Sequence, residues 1–223
     1  MITLHYLVDS RAQRILWMLE ELGLDYELTV YQRDPKTQLA PASLKDIPPL
    51  GKSPVLCDGD AVIAESGTIV EYLAQRYGSE GWQVAVDDPA YLDYIHWLHF
   101  AEGSLMPTFV MKRVHSVVLN QPMPFFVKPI ARKIMQRLDD SFVAPNITNN
   151  LRYVEGHLNN HEWFAGNRLT AADIQMSFPL EASRSRRPEG LQLPAIDAWV
   201  DKIHQRPAYQ RALKRGGDYA YAL

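Results

Sequence analysis

Residues 2–23, ITLHYLVDSRAQRILWMLEELG, contain two different spacings of hydrophobic residues, one after the other. Residues 2–8 form a short apolar run that is typical of a strand, and Asp9 and Ser10 interrupt it. The apolar residues after Ser10 recur at helical spacing, and Gly23 is a typical residue for a helix C-cap. The stretch therefore predicts a strand, a tight turn and a helix, in that order.

The following residues extend this pattern into an α/β domain. Residues 26–31 alternate as a second strand, and a polar stretch with several prolines after them is predicted to contain a helix. Residues 54–57 and 61–64 flank the turn Asp58-Gly59-Asp60, which predicts a hairpin. Ser66 begins a further helix that leads to Tyr77-Gly78.

The second part of the chain has a different character. Beyond residue 89 it shows long helical patterns without a convincing strand, at residues 90–114, 125–143, 150–160, 170–183 and 195–206. Polar and glycine residues between Gly78 and Pro89 indicate a linker. We therefore expect an α/β domain at residues 1–80 and an all-helical domain at residues 89–223.

Composition excludes several classes of protein. The chain has 223 residues, of which 47% are hydrophobic and 22% charged, which is ordinary for a globular protein and not for a disordered or coiled-coil one. Its net charge of -3 argues against nucleic-acid binding. No apolar run of membrane-spanning length and no signal peptide is evident, so a cytoplasmic protein is expected. The single cysteine, Cys57, excludes an internal disulfide and a CxxC motif.

Ser10-Arg11-Ala12-Gln13 has the form of a capping box, with Ser10 as N-cap. A purely structural role, worth about 1 kcal/mol, accounts for such a tetrapeptide on its own. If the Ser10 oxygen caps the helix, its hydroxyl proton is free to be donated to an anion at the positive end of the helix. A thiolate is the anion we favour, since a thiol of pKa about 8.5 is ionised only to a few per cent at pH 7.

Glu65-Ser66 lies where the predicted hairpin leads into a helix. Ser66 is a candidate N-cap, which is the structural interpretation. A serine hydroxyl and backbone N–H groups at a helix N-terminus also suit a carboxylate, and the adjacent Glu65 suits an ammonium group. The pair can thus hold the two ends of an amino acid.

Gly51-Lys52-Ser53 is not the end of a phosphate-binding loop, because Asp46 stands where that motif needs glycine. Lys52 is interpretable as a solvated surface lysine. Pro54, just before a short strand, is a candidate cis-proline that exposes the backbone of Val55. A peptide ligand can then pair with Val55 as an added strand.

Two further motifs are interpreted as structural. Thr170 and Asp173 form a capping box, with Leu169 and Ile174 at the hydrophobic-staple positions. His157 and His161 lie one helical turn apart without a third ligand at suitable spacing, so no metal site is predicted.

Taken in order, these motifs resemble the cytosolic glutathione S-transferase family, in its bacterial and fungal serine-type form, over essentially the whole chain. The segments that carry the resemblance are residues 7–11, 19–24, 26–27, 51–56, 63–66 and 170–173. The resemblance implies a thioredoxin-like N-terminal domain, an all-α C-terminal domain, a homodimer, and conjugation of glutathione to small hydrophobic electrophiles. Glutathione would be a co-substrate, with no permanently bound cofactor.

The resemblance also assigns roles to individual residues. Ser10 matches the serine that stabilises the thiolate, and Lys52 lies where a contact to the glycine carboxylate is expected. Pro54 matches the cis-proline, and Val55 the backbone partner of the cysteinyl unit. Glu65 and Ser66 match the residues that hold the γ-glutamyl end.

Some alternatives stay open at this point. Tyr6 lies near the position of the catalytic tyrosine of other classes and is a rival to Ser10, whereas a serine instead of a cysteine argues against a disulfide reductase. For the electrophile pocket we consider Met106, Phe109 and Met111, which could equally be helix-packing residues. A peroxidase, isomerase or dehalogenase using the same thiolate is an alternative function, as is a non-catalytic binding or regulatory protein.

Overall fold

A computed structural model describes residues 1–47, 50–79 and 81–222. Its N-terminal part contains a four-stranded sheet with strand order β2-β1-β3-β4. The strands are β1 (Ile2–Leu7), β2 (Tyr26–Tyr31), β3 (Val55–Asp58) and β4 (Ala61–Ala64). β1 pairs with β2 in parallel and with β3 antiparallel, and β3 pairs antiparallel with β4.

Helix α1 (Ala12–Glu21) connects β1 to β2, and helix α2 (Ser66–Arg76) follows β4. This confirms the predicted thioredoxin-like order of strands and helices. Between β2 and β3, the described residues contain only a short 3-10 turn, Ala42–Asp46, where a helix was predicted.

The rest of the described chain is helical, as predicted, but the helix boundaries differ. Its helices are α3 (Tyr91–Phe100), α4 (Met106–Asn120), α5 (Val127–Leu138), α6 (Ala144–Leu158), α7 (Ala171–Arg186), α8 (Pro194–His204) and α9 (Pro207–Gly216). Single π-helical turns, Ala101–Leu105 and Asp139–Val143, join α3 to α4 and α5 to α6 into two long continuous helices. The predicted break between residues 143 and 150 is therefore wrong, and α9 was not predicted. No described helix is long and apolar enough to cross a membrane.

Helix α1 lies at the centre of the molecule, since its residues 12–20 are all buried. One side packs against the sheet, and the other packs against α7 and α9 of the helical part. Trp17 of α1 meets Tyr209 of α9 edge to face, with ring centroids 5.6 Å apart. The two halves of the chain thus share one hydrophobic core.

The predicted capping box at the start of α7 is confirmed. The Asp173 carboxylate accepts hydrogen bonds from the Thr170 N–H at 2.8 Å and from the Thr170 hydroxyl at 2.9 Å. It also accepts one from the Phe164 N–H at 2.9 Å, which fixes the preceding loop to the helix. Complete burial raises the pKa of Asp173 to about 6, against the opposing effect of these hydrogen bonds.

Candidate functional site

Two serines flank the carboxyl end of β1. The Leu7 carbonyl accepts a hydrogen bond from the Ser10 hydroxyl at 2.7 Å, and the Leu7 N–H donates to Ser53 Oγ at 3.1 Å. Ser53 in turn donates to the His5 carbonyl at 3.1 Å. The turn after β1 and the loop before β3 are therefore fastened to the same residue.

The predicted capping box at Ser10 does not form. Ser10 Oγ accepts from the Ala12 N–H at 3.1 Å, the residue flanking the helix is Arg11, and the Gln13 N–H donates to the Ser10 carbonyl instead of to its side chain. The expectation that the Ser10 proton is free is also wrong, because the Leu7 carbonyl accepts it. The hydroxyl must rotate away from Leu7 before it can serve another acceptor.

Tyr6 lies in the core and not in a cleft. Its side chain is fully buried and donates a hydrogen bond to Gln13 Oε1 at 2.8 Å. α9 packs closely over it, since a Cβ on Gly216 would lie 3.2 Å from the Tyr6 hydroxyl oxygen. Burial, followed by the charges of Asp9 and Glu181, raises the pKa of Tyr6 well above its ordinary value.

Four of the predicted glutathione-binding residues line one cleft of about 190 Å³, together with Arg11 and Ser53. They are Lys52, Pro54, Glu65 and Ser66. The Ser53–Pro54 peptide bond is cis, as expected from the sequence. The structure thus brings together residues that the sequence separates by more than ten positions.

The cleft ends at the start of α2. Ser66 is buried and is the first residue of the helix, so Glu65, and not Ser66, occupies the N-cap position. Glu65 has φ of +69°, in the left-handed region that residues with a Cβ seldom adopt, and its side chain is exposed at the cleft. A carboxylate and a helix N-terminus therefore lie side by side, as the sequence suggested.

Val55 is not available to a ligand in the way predicted. It is fully buried in β3, and it pairs in register with His5 of β1 on one side and Ala64 of β4 on the other. Because neighbouring strands occupy both sides of its backbone, no edge is left for an added strand. Ser53, on the other side of the cis-proline, lines the cleft instead.

A larger cavity of about 490 Å³ adjoins the cleft, and Arg11, Lys52 and Ser53 line both. Ser10 lies in the wall of this larger cavity. Its apolar wall is formed mainly by Leu39, Met106, Val110, Phe178 and Tyr221.

Of the three residues considered for the electrophile pocket, only Met106 lines the cavity. Phe109 is fully buried in the helical core, and Met111 is on the exposed side of α4. The residues of α4 that do line the cavity are Met106, Val110 and Arg113, whose i, i+4, i+7 spacing places them on one helix face. That spacing shows that they share a face, but which face of α4 lines a cavity depends on tertiary contacts.

An ion cluster that the sequence did not reveal lies at the floor of the cleft. Glu102 accepts from Arg11 Nε at 2.9 Å and from the buried Arg14 at 2.7 Å. Arg14 also donates to the Gln175 carbonyl at 2.7 Å. These contacts join residues between 88 and 161 positions apart, so no local pattern could have predicted them.

Residues near the C-terminal end of the chain close the larger cavity. The Tyr219 hydroxyl donates to the buried carboxylate of Glu181 at 2.5 Å, and the Ala220 N–H donates to Asp9 Oδ1 at 2.7 Å. Tyr221, the next residue, lines the cavity and accepts a hydrogen bond from Arg186. This segment therefore lies directly beside the turn that carries Ser10.

Comparisons with known proteins agree with this geometry. Residues 1–75 match the family model described as glutathione S-transferase, N-terminal domain, and residues 122–207 match its C-terminal domain. The chain is 36% identical to glutathione S-transferase 3 of Schizosaccharomyces pombe, covering 100% of this chain and 91% of that protein. It is 34% identical to glutathione S-transferase 1 of Saccharomyces cerevisiae, covering 93% of this chain and 92% of that protein. A crystal structure of a glutathione S-transferase from Actinobacillus pleuropneumoniae superimposes with a TM-score of 0.81 at 34% identity, over 100% of this chain and 96% of that chain.

Proposed function

This chain belongs to the glutathione S-transferase family and is a glutathione transferase, and we propose that glutathione binds in the smaller cleft with its sulfur directed towards Ser10. The observation that carries this proposal is the common attachment of Ser10 and Ser53 to Leu7, at the place where the cleft meets the larger cavity. A thiol held near Ser53 then faces the cavity in which a second substrate fits.

The two ends of glutathione are matched by opposite charges. The γ-glutamyl carboxylate would accept hydrogen bonds at the N-terminus of α2 beside Ser66, and the γ-glutamyl ammonium would contact Glu65. Lys52 would contact the glycine carboxylate. The backbone contact to the cysteinyl unit, assigned from the sequence to Val55, is proposed here for Ser53, because Ser53 lines the cleft.

Ser10 would stabilise the thiolate by rotating its hydroxyl from the Leu7 carbonyl to the sulfur. Lowering the pKa of a thiol by two units takes about 2.7 kcal/mol. A charge-assisted hydrogen bond of about 1.5 to 3 kcal/mol, with about 0.3 to 1 kcal/mol from the start of α1, supplies that amount. Tyr6 is a poorer candidate, since its hydroxyl is buried against Gln13 and α9.

With an aryl chloride as the second substrate, the thiolate attacks the carbon that bears chlorine. The C–S bond forms, the C–Cl bond breaks, and chloride leaves with the bonding electron pair. The thiol proton passes to solvent when the thiolate forms. The enzyme contributes ionisation of the thiol and the placement of both reactants.

We also propose a cytoplasmic homodimer. The exposed apolar side chains Phe125, Phe126, Ile130 and Ile134 around α5 support an assembled form. The single cysteine supports a reducing compartment.

The test is conjugation of glutathione to 1-chloro-2,4-dinitrobenzene by the wild type, Ser10→Ala and Tyr6→Phe, with thiolate absorbance followed in parallel. We expect Ser10→Ala to lower turnover by about 10- to 100-fold, since one charge-assisted hydrogen bond is lost. Tyr6→Phe should retain most of the activity.

A wild type that binds glutathione without ionising it would overturn the proposed mechanism. Loss of activity in Tyr6→Phe alone would show that Tyr6 is the thiolate donor. Titration calorimetry with glutathione provides the binding control for each variant.

A further inference from the structure

The larger cavity carries an excess of positive charge. Among the described residues of its lining, Asp9 is the only acid, whereas six side chains are basic. The basic residues are Arg11, Arg33, Lys45, Lys52, Arg113 and Arg186. A pocket for purely neutral, apolar electrophiles does not need this charge.

Two of these cations have an assigned partner, and a third, Lys45, lies against the loop that carries Lys52. Arg11 is paired with Glu102 at 2.9 Å. Lys52 is assigned to the glycine carboxylate of glutathione under the proposed function. Lys45 packs against the same loop, since a Cβ on Gly51 would lie 2.5 Å from Lys45 Cγ. Arg33, Arg113 and Arg186 remain.

Arg33 is held by three backbone carbonyls and makes no hydrogen bond to a carboxylate among the described residues. It donates to the carbonyls of Val8 at 3.1 Å, Asp9 at 2.9 Å and Gln38 at 3.0 Å, all of which are neutral acceptors. Its pKa is lowered, first by burial and then by the positive charge of Arg113, while the Asp9 carboxylate opposes this. Arg33 and Arg113 both line the cavity, so an anion bound there would be attracted by two guanidinium groups.

The charge lies next to an apolar surface. Arg113 follows Met106 and Val110 on the same face of α4, so its guanidinium lies at one end of the apolar wall. Arg186, also in the lining, lies over the ring of Tyr221 with its guanidinium carbon 5.1 Å from the centroid. The cavity thus combines apolar side chains with cationic groups.

We propose that the second substrate of this transferase is an apolar electrophile that bears a carboxylate, and that Arg113, together with Arg33, binds that carboxylate. This inference rests on the proposed function for the position of glutathione. It narrows the second substrate from small hydrophobic electrophiles in general to organic acids among them.

The test compares two electrophiles with the same nucleophile and leaving group, the neutral 1-chloro-2,4-dinitrobenzene and the anionic 4-chloro-3,5-dinitrobenzoate. Each kcat/KM is divided by the uncatalysed rate constant with glutathione. We expect Arg113→Gln to lower kcat/KM for the benzoate by about tenfold or more, mainly through KM, because a charge-assisted contact is lost. For the neutral compound we expect a change below about twofold, and Arg113→Lys should recover part of the benzoate activity.

Lys112→Gln is the matched control, since it removes the same charge from the adjacent position of α4, outside the cavity lining. It should leave both substrates unaffected. An equal loss of benzoate activity in Lys112→Gln and Arg113→Gln would overturn the proposal in favour of a long-range effect of net charge. An equal loss for both substrates in Arg113→Gln would also overturn it.

Binding without turnover separates this inference from the proposed function. The compound 3,5-dinitrobenzoate lacks a leaving group, so it can bind but cannot be conjugated. With glutathione present, titration calorimetry should show that it binds the wild type about tenfold more tightly than Arg113→Gln. If that difference is found while neither aryl chloride is conjugated, the proposed catalysis fails and the carboxylate site stands. If the affinity does not depend on Arg113, the carboxylate site fails even in an active transferase.

Discussion

Ser10 occupies a position in which one hydroxyl satisfies two backbone groups, the Leu7 carbonyl and the Ala12 N–H. Use of its proton by a sulfur leaves the Leu7 carbonyl without that donor. The lost bond to Leu7 therefore offsets part of the strength of a bond to a thiolate. The net stabilisation of the thiolate is smaller than it would be from a hydroxyl with no bond to give up.

This offset leads to a prediction for the pKa of bound glutathione. Ser10→Ala should raise the pKa of the bound thiol by about one unit, since about 1.5 kcal/mol of net charge-assisted bonding is removed. The absorbance of the thiolate near 240 nm, titrated in the enzyme–glutathione complex, measures it. An unchanged titration curve in Ser10→Ala would exclude Ser10 from thiolate stabilisation.

Glu65 is the residue for which we predict an effect on binding rather than on chemistry. Glu65→Gln should raise KM for glutathione by about tenfold with little change in kcat, because a contact from a carboxylate to an ammonium becomes a neutral one. Glu71→Gln, on the same helix but outside the glutathione cleft, is the control. Equal effects of the two substitutions would contradict the assignment of Glu65.

At the scale of elements, the start of α7 gives a prediction about pH. The pKa of Asp173 is about 6 in the folded protein against an ordinary value of 3.8. Because the folded-state pKa is the higher one, protonation of Asp173 stabilises the fold. This stabilisation is complete at pH values below the ordinary pKa of 3.8, and it is lost as the pH rises through about 6. Asp173 should thus lower the free energy of unfolding by about 2 kcal/mol between pH 4 and pH 8.

Urea unfolding at several pH values measures this dependence, with Asp173→Asn as the comparison. The variant should be less stable overall, because its amide nitrogen cannot accept one of the three hydrogen bonds made to Asp173. Its free energy of unfolding should depend less on pH across the same range. A variant with the slope of the wild type would show that Asp173 does not titrate there.

The two predicted capping boxes illustrate what a sequence can and cannot determine. The Thr170 box was predicted correctly because its partners lie within one turn, and the tertiary contact from the Phe164 N–H uses the other carboxylate oxygen of Asp173. The Ser10 box was not, since Gln13 is drawn into the core by the buried hydroxyl of Tyr6 and Ser10 by Leu7. A local motif is reliable only where tertiary contacts leave its side chains in place.

The same reasoning applies to the candidate site. Lys52, Pro54, Glu65 and Ser66 belong to continuous motifs, and the structure places all four in one cleft. The cavity-lining faces of α4 and the pairing of Val55 depend on which side of an element meets a neighbour. Residue type alone does not determine that side. The sequence therefore could not show that Phe109 and Met111 lie outside the cavity lining, or that Val55 is paired on both sides.

At the scale of the whole molecule, charged contacts join the two halves of the chain. Arg206 of the loop before α9 bonds Glu21 of α1 at 2.5 Å, and Arg211 of α9 bonds Glu20 of α1 at 2.7 Å. Together with the shared hydrophobic core, these contacts predict that the two halves unfold in one transition. The division of the chain into an α/β domain at residues 1–80 and an all-helical domain at residues 89–223 stays a prediction.

Thermal unfolding tests this prediction through two observables. Trp17 lies in the first part and Trp97, Trp163 and Trp199 in the helical part, so far-UV circular dichroism and tryptophan fluorescence should give the same midpoint. Two separate midpoints would contradict a single cooperative unit.

Arg14→Met should lower the free energy of unfolding of the whole molecule by about 1 to 3 kcal/mol, since its bonds to Glu102 and Gln175 are lost.

The central position of α1 also has a consequence for synthesis on the ribosome. Its residues are made almost two hundred residues before α9, which covers them. At roughly 5 to 20 residues per second, that delay is on the order of ten seconds or more. During this delay, the apolar face around Trp17 and the carboxylates of Glu20 and Glu21 lack the side chains that contact them in the folded protein. We therefore expect chaperones to bind this face of the nascent chain until α9 has been made.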